Sequence, residues 1–313
     1  QLAMKNGKDS LAVFTNVVSP WNLTSKVFKQ IFSLQSVDEK GDWSNYVLFP
    51  AVFKKAGYHV SFLSNQFPYG INYTPDWTNN LVGGFFLNHP QLNKQMFDYR
   101  NVTIHNYDED LLKDYKDIIS YKKPQLIIFH LLGQHFQYSL RCKSNMKKFG
   151  IKDYKRMDLT DKEKQTIADY DNATLYNDFV LNKIIEQFRN KDAIIVYLSD
   201  HGEDCYGKDV NMAGRLTEVE QINLKKYHEE FEIPFWIWCS PIYKQKHRKI
   251  FTETLMARNN KFMTDDLPHL LLYLAGIKTK DYCEERNVIS PSFNNNRRRL
   301  VLKTIDYDKA LYQ

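Results

Sequence analysis

The stretch Ala193-Ile-Ile-Val-Tyr-Leu-Ser-Asp-His-Gly-Glu203 decides the fold of this chain. Ala193 to Leu198 is a run of small, β-branched and aromatic residues, long enough for a buried strand and too short for a helix of ordinary length. It ends abruptly in a polar cluster whose glycine lets the backbone turn tightly. A strand that is apolar along its whole length belongs to a sheet covered on both faces, and ligands gather beyond the carboxyl ends of such strands.

Outward from this stretch the pattern repeats. Tyr58 to Leu63, Gln125 to Leu131 and Ile233 to Trp238 are similar apolar runs, and Leu11 to Val18 is another at the start. Helical patterns precede Tyr58–Leu63, Gln125–Leu131 and Ala193–Leu198 in turn: Asn45 to Ala56, Asp108 to Ser120, and Thr160 to Arg189, which opens on the capping box Thr160-Asp-Lys-Glu163. Alternating helices and strands predict an α/β fold with a mostly parallel central sheet and helices on both faces. The helix expected over Asp265 to Ala275 belongs to the same layer, and the region after Asn296 reads as a final strand with a tail. Residues 1–313 therefore read as a single domain.

The composition, 43% hydrophobic with 26% charged, is that of a folded globular chain. The net charge of +6 is spread in short groups with acidic residues between them, which excludes a nucleic-acid module built on a dense basic stripe. Four scattered cysteines, Cys142, Cys205, Cys239 and Cys283, form no CxxC pair and allow no disulfide assignment. No run approaches the roughly 20 apolar residues of a membrane span.

Asp200 and His201 place a hard carboxylate and an imidazole on successive residues just past a strand, from which both can reach one divalent cation. A capping Asp beside a surface His has the same local sequence, and the apolar strand before it favours the metal. Thr24 sits at the start of a helix running to Phe32, where it is either an ordinary cap or a hydroxyl beside N–H groups that favour phosphate. His135 follows the Gln125–Leu131 strand and is free to face a cleft, whereas His130 lies inside the strand and reads as a buried, hydrogen-bonded residue.

Phe14-Thr-Asn-Val-Val-Ser19, Thr24, Phe129-His-Leu-Leu-Gly-Gln-His135, Tyr170-Asp-Asn172 and Tyr197-Leu-Ser-Asp-His-Gly-Glu203 together resemble, in order, the periplasmic domain of bacterial phosphoethanolamine transferases, in the sulfatase-like branch of the alkaline phosphatase superfamily. The resemblance spans roughly residues 10 to 275. It implies that Thr24 is a nucleophile accepting phosphoethanolamine from phosphatidylethanolamine for transfer to lipid A or another cell-envelope glycan. It also implies Zn2+ bound by Asp200, His201 and Thr24, with His135 contacting the phosphoryl group or a second metal, and Asn65 lining the pocket. The domain would lie on the periplasmic face of the inner membrane, anchored by preceding segments.

Three departures accompany the resemblance. The family's glutamate ligand comes from a first strand, and nothing before Thr24 supplies it, so that strand is expected to precede Gln1. Asn211 to Glu220 lacks the family's downstream histidine, which leaves Arg215 as the nearest cation for a phosphate and His228 as a weaker one. Pro20 and Gln30 stand where proteobacterial members commonly carry cysteines. The alternatives are a phosphoglycerol transferase, a phosphatase or sulfatase-like hydrolase, and a non-catalytic degenerate member. Ser19-Pro20-Trp21-Asn22 contains no CxPxR-type segment, which disfavours sulfate ester cleavage.

Overall fold

The computed structural model describes residues 10–66, 90–101, 103–118, 123–207, 209–216 and 222–312. Six strands form its two principal sheets: β1 (Leu11–Phe14), β2 (His59–Ser64), β3 (Tyr99–Arg100), β4 (Gln125–His130), β5 (Ile194–Leu198) and β6 (Phe235–Cys239). In one block β2 pairs in parallel with β3 and β4, matching His59 to Gln125 and Ser64 to His130. In the other, β6 lies between β1 and β5 and runs antiparallel to both. The Ile233–Trp238 run thus forms a strand of the opposite direction from the one its sequence suggested. A continuous apolar run records burial on both faces, not direction.

The side chains of β4 alternate between two cores. Leu126 and Ile128 pack with α1 (Thr24–Phe32), α2 (Phe49–Lys55) and α5 (Leu267–Leu274), while Ile127 and Phe129 pack with α3 (Leu111–Ile118) and α4 (Asp161–Phe188). Helices therefore cover both faces, and the chain has the expected α/β class. Thr160 caps α4 through the anticipated box with Glu163. The helix expected from Asn45 begins only at Phe49, because Pro50 fits the first turn and has no N–H to continue an earlier one.

The expected Leu11–Val18 strand is broken in two. Thr15 Oγ1 donates to Asn259 Oδ1 and Arg299 Nη1 donates to Asn16 Oδ1, which bends the chain so that Val17–Val18 pairs in parallel with Phe262–Met263 instead. The segment after Asn296 forms a two-stranded ladder, Leu300–Val301 with Ile305–Asp306, followed by a helix over Tyr307–Tyr312. It is pinned to the body by buried ion pairs: Arg286 and Arg297 hold the adjacent carboxylates Asp265 and Asp266 before α5. All four cysteines are free thiols.

The two blocks do not join. β4 pairs on one edge with β2 and β5 pairs on one edge with β6, but no described strand lies between β4 and β5. Every residue of both lines a common cavity of about 980 Å³ that continues past their carboxyl ends to Thr24, Asp200 and His201. All of Ile194–Leu198 is only half-buried, although the strand is apolar throughout and flanked by helices.

Candidate active site

Three loops at the carboxyl ends of the strands build the site. Thr24 opens α1, where the chain leaves Leu23 in extended conformation and turns into the helix. The residues before it are locked to the rest of the site. Ser19 Oγ donates to the Asp200 carbonyl at 2.6 Å, and Asn22 Nδ2 donates to Glu230 Oε2 at 2.5 Å and to the Leu216 carbonyl at 2.9 Å. Ser199 Oγ in turn donates to the His201 carbonyl.

These constraints bring Thr24 Oγ1 to 3.2 Å from His201 Nε2, which lies 3.3 Å from Asp200 Oδ2. His201 Nδ1 is 2.8 Å from the Gly202 carbonyl oxygen, an acceptor only, so the ring proton belongs on Nδ1 and Nε2 carries a lone pair. Burial pushes the His201 pKa down and Arg215 adds to this, despite Asp200, so the ring is neutral. Burial alone would raise the Asp200 carboxyl, but His201, the Thr24 hydroxyl, His130 and Arg215 together hold it below the usual range. A carboxylate oxygen, an imidazole lone pair and a hydroxyl thus converge, and two electron-rich atoms this close are best reconciled by a cation between them. The donor chemistry fits a Zn2+ ion, which Thr24, Asp200 and His201 could hold. Among the described residues no group of three or more His, Cys, Asp and Glu side chains converges, so these three supply only part of a zinc shell.

His135 and Arg215 line the same cavity. His135 sits in the turn after β4, and burial, Arg215 and Arg141 push its pKa down to about 4, leaving a neutral imidazole. Arg215 is 3.9 Å from Glu203, and its guanidinium, a cation on the cavity wall, suits an anionic ligand. Asn65 is placed elsewhere. Its Nδ2 donates to Asp108 Oδ1 and its Oδ1 accepts from His105 N, so it braces the 105–108 loop and is absent from the cavity lining. Asp108 passes that support on by accepting from the N–H groups of Leu132 and Gly133. His228 pairs with Glu232 and is likewise absent from the lining. His130 is the buried strand residue expected, bonded to Ser64 Oγ and packed against Phe28 and Phe62.

Sequence reasoning assigned no role to Ser19, Asn22, Tyr138, Glu203, Asp204 or Glu230. Tyr138 donates to Glu203 at 2.6 Å, fixing that carboxylate beside Arg215. Asp204 and Glu230 are both fully buried beneath Asn22, and burial and mutual repulsion raise the Asp204 carboxyl to about 7. The available signal was position: Ser19 and Asn22 flank Thr24, and Glu203 and Asp204 follow His201.

The sulfatase family model matches residues 1–277. The phosphoethanolamine transferase EptC of Escherichia coli (strain K12) is 29% identical over 99% of this chain and 53% of its own length. The phosphoethanolamine transferase CptA of Salmonella typhimurium is also 29% identical, over the same shares of the two chains. This chain thus spans about half the length of these curated relatives. Among solved structures, the zinc complex of the C-terminal periplasmic domain of EcEptC from Escherichia coli superposes with a TM-score of 0.82 at 26% identity, over 99% of this chain and 85% of that one. The soluble domain of lipooligosaccharide phosphoethanolamine transferase A from Neisseria meningitidis shares the fold, with a TM-score of 0.66 at 19% identity over 92% of this chain and 83% of that one.

Proposed function

The chain belongs to the sulfatase family, and we propose that it is the catalytic part of a zinc-dependent phosphoethanolamine transferase acting from phosphatidylethanolamine onto lipid A or another cell-envelope glycan. The observation that carries this reading is the approach of Thr24 Oγ1 to His201 Nε2 and Asp200 at the start of α1, beside Arg215 and a neutral His135. Likeness to EptC and CptA supports the choice of transferred group.

In this reading the Thr24 oxygen attacks phosphorus. The bond from phosphorus to the diacylglycerol oxygen breaks, and that oxygen takes a proton as it leaves. The phosphothreonine is then opened by a hydroxyl of the acceptor, which restores Thr24, so configuration at phosphorus is retained. Zinc bound by Thr24, Asp200 and His201 would acidify the hydroxyl and neutralise charge developing on the phosphoryl oxygens. His135, neutral at working pH, can take and return a proton, while Arg215, on the same cavity wall, orients the phosphoryl group through its positive charge.

The open edges of β4 and β5 support a further part of the reading. An extended segment preceding Gln1 would pair with both strands, and its carboxyl end would deliver the remaining acidic ligand beside His201. The same upstream region would anchor the domain at the periplasmic face of the inner membrane. Among the described residues no helix is long and apolar enough to cross a bilayer.

The test is intact mass and zinc content of the polypeptide extended upstream, wild type against Thr24→Ala, after incubation with phosphatidylethanolamine. A gain of one phosphoethanolamine on the wild type alone, with zinc bound, supports the reading. Zinc without an adduct or diacylglycerol moves a phosphoglycerol transferase or a hydrolase ahead, and no zinc favours a non-catalytic member.

A further inference from the structure

Between Phe136 and Asp158 the chain wraps the amino-terminal half of α4, and it spends its polar groups on one turn of that helix. The Tyr138 ring stands edge-on to Tyr170 at 5.1 Å, and the Tyr154 hydroxyl donates to Asp171 at 2.5 Å. Asn172 accepts from the N–H groups of Lys148 and Phe149 and donates to the Phe149 carbonyl. These pegs leave the opposite character outside. Phe136, Leu140 and Met157 are 62%, 59% and 92% exposed, half of the six large hydrophobic side chains exposed among the described residues. The segment also carries seven Lys or Arg against two Asp, a net charge of +5 in a chain whose total is +6.

The cations have different fates. Lys143 and Lys147 pair with Glu109 and Asp169, and Arg156 with Asp158. Lys152 and Lys155 are exposed and enter no ion pair among the described residues. Phe136 directly follows the cavity residue His135, and Arg141 ties both together by donating to their carbonyl oxygens at 3.3 and 3.0 Å. Exposed Phe, Leu and Met sharing one segment with unpaired lysines is the combination that suits an anionic bilayer: the phosphates take the ammonium groups while the apolar side chains enter the headgroup boundary. A nucleic acid or an acidic protein would use the charge but leave Phe136, Leu140 and Met157 in water.

We propose that residues 136–158 form a docking face for an anionic lipid bilayer, set beside the mouth of the active-site cavity. The face would hold that mouth against the surface on which lipid-borne substrates lie. The inference does not rest on the transfer chemistry, because binding is measured without turnover.

The test is co-sedimentation of the chain with vesicles of phosphatidylcholine alone and with vesicles containing about one third phosphatidylglycerol. The wild type should prefer the anionic vesicles by at least about tenfold, and high salt should reduce the preference. Lys152→Glu with Lys155→Glu should weaken binding on the order of tenfold or more, since each lysine at such a surface contributes roughly fivefold. Phe136→Ser with Leu140→Ser should weaken binding several-fold on the same vesicles at an unchanged melting temperature, because both side chains are exposed. Equal binding to the two vesicle types, or binding unaffected by either double substitution, overturns the proposal. So does a chain that ignores vesicles but self-associates through Phe136 and Leu140, which would give the face to a second copy.

Discussion

Gly202→Ala probes the frame of the site without touching a ligand. Gly202 lies between His201 and Glu203, and its N–H donates to the Glu230 carbonyl at 2.9 Å. Its need for glycine is one of space, for an added Cβ would stand 1.8 Å from the Glu229 carbonyl oxygen and 2.8 Å from that of Glu232. Both are backbone atoms held by the segment that carries Glu230, so neither can swing aside. Ordinary contact begins near 3.4 Å, and restoring it from 1.8 Å requires the loop to move by well over an ångström. Overpacking against fixed backbone costs about 3 kcal/mol or more, which for a chain of this size lowers the melting temperature by about 4–5 °C or more. The shift also drags His201 away from Asp200 and Thr24, so zinc affinity should fall with stability. Differential scanning fluorimetry with and without zinc reads both effects, and Gly150→Ala, whose added Cβ meets nothing within 4 Å, is the control. A Gly202→Ala protein that melts within about 2 °C of wild type and still gains stability from zinc would refute the reasoning.

Asp204→Asn tests the buried acid pair. Burial, then Glu230, raises the Asp204 carboxyl to about 7, so the folded state keeps a proton that the unfolded chain releases near pH 4. Stability is therefore lost as pH rises from about 4 through about 7, and the substitution should flatten that slope in melting curves. Asp266, pushed up to about 7 by burial and Asp265, tilts both proteins alike, so equal slopes would refute the role of Asp204. Arg297→Met leaves Asp265 and Asp266 with only Arg286 and should cost about 3–5 kcal/mol, read by urea unfolding; a loss below about 1 kcal/mol would mean the cluster is not under strain from its charges. Arg215→Gln should lower kcat/KM for the transfer by roughly 10²–10³, and a loss under about threefold would remove Arg215 from the phosphoryl site.

What the sequence revealed of this site depended on how local each constraint is. Asp200 and His201 were legible because an uninterrupted apolar run ending in polar residues fixes a position in the fold, whereas Thr24 stood out only through the family resemblance, since a helix start after a strand and a turn reads equally as an ordinary cap. Asn65 occupies the same kind of place after β2, yet its partners Asp108 and His105 lie some 40 residues away and pull its side chain out of the cavity. Glu230 is far more remote from Asn22, 208 residues along the chain, and no pattern near either residue records the bond between them. Local sequence places a backbone; it does not say which of several polar side chains at that place is already taken.

The space between β4 and β5 shows pattern and packing in disagreement, and the disagreement is informative. Gln125–Leu131 and Ala193–Leu198 have the composition of central strands, paired on both edges and covered on both faces. Among the described residues the structure supplies helices on both faces but only one pairing edge to each strand, which leaves a row of N–H and C=O groups along an apolar cavity with no described backbone partner. Backbone groups in such a setting cost free energy unless paired, and an apolar edge pair this deep is also an aggregation template. The composition of the two strands is therefore suited to a sheet in which another strand runs between them. That strand's end would fall beside Thr24, Asp200 and His201, where zinc is proposed to bind, so one insertion would answer both the unpaired edges and the further donor that a zinc there would need.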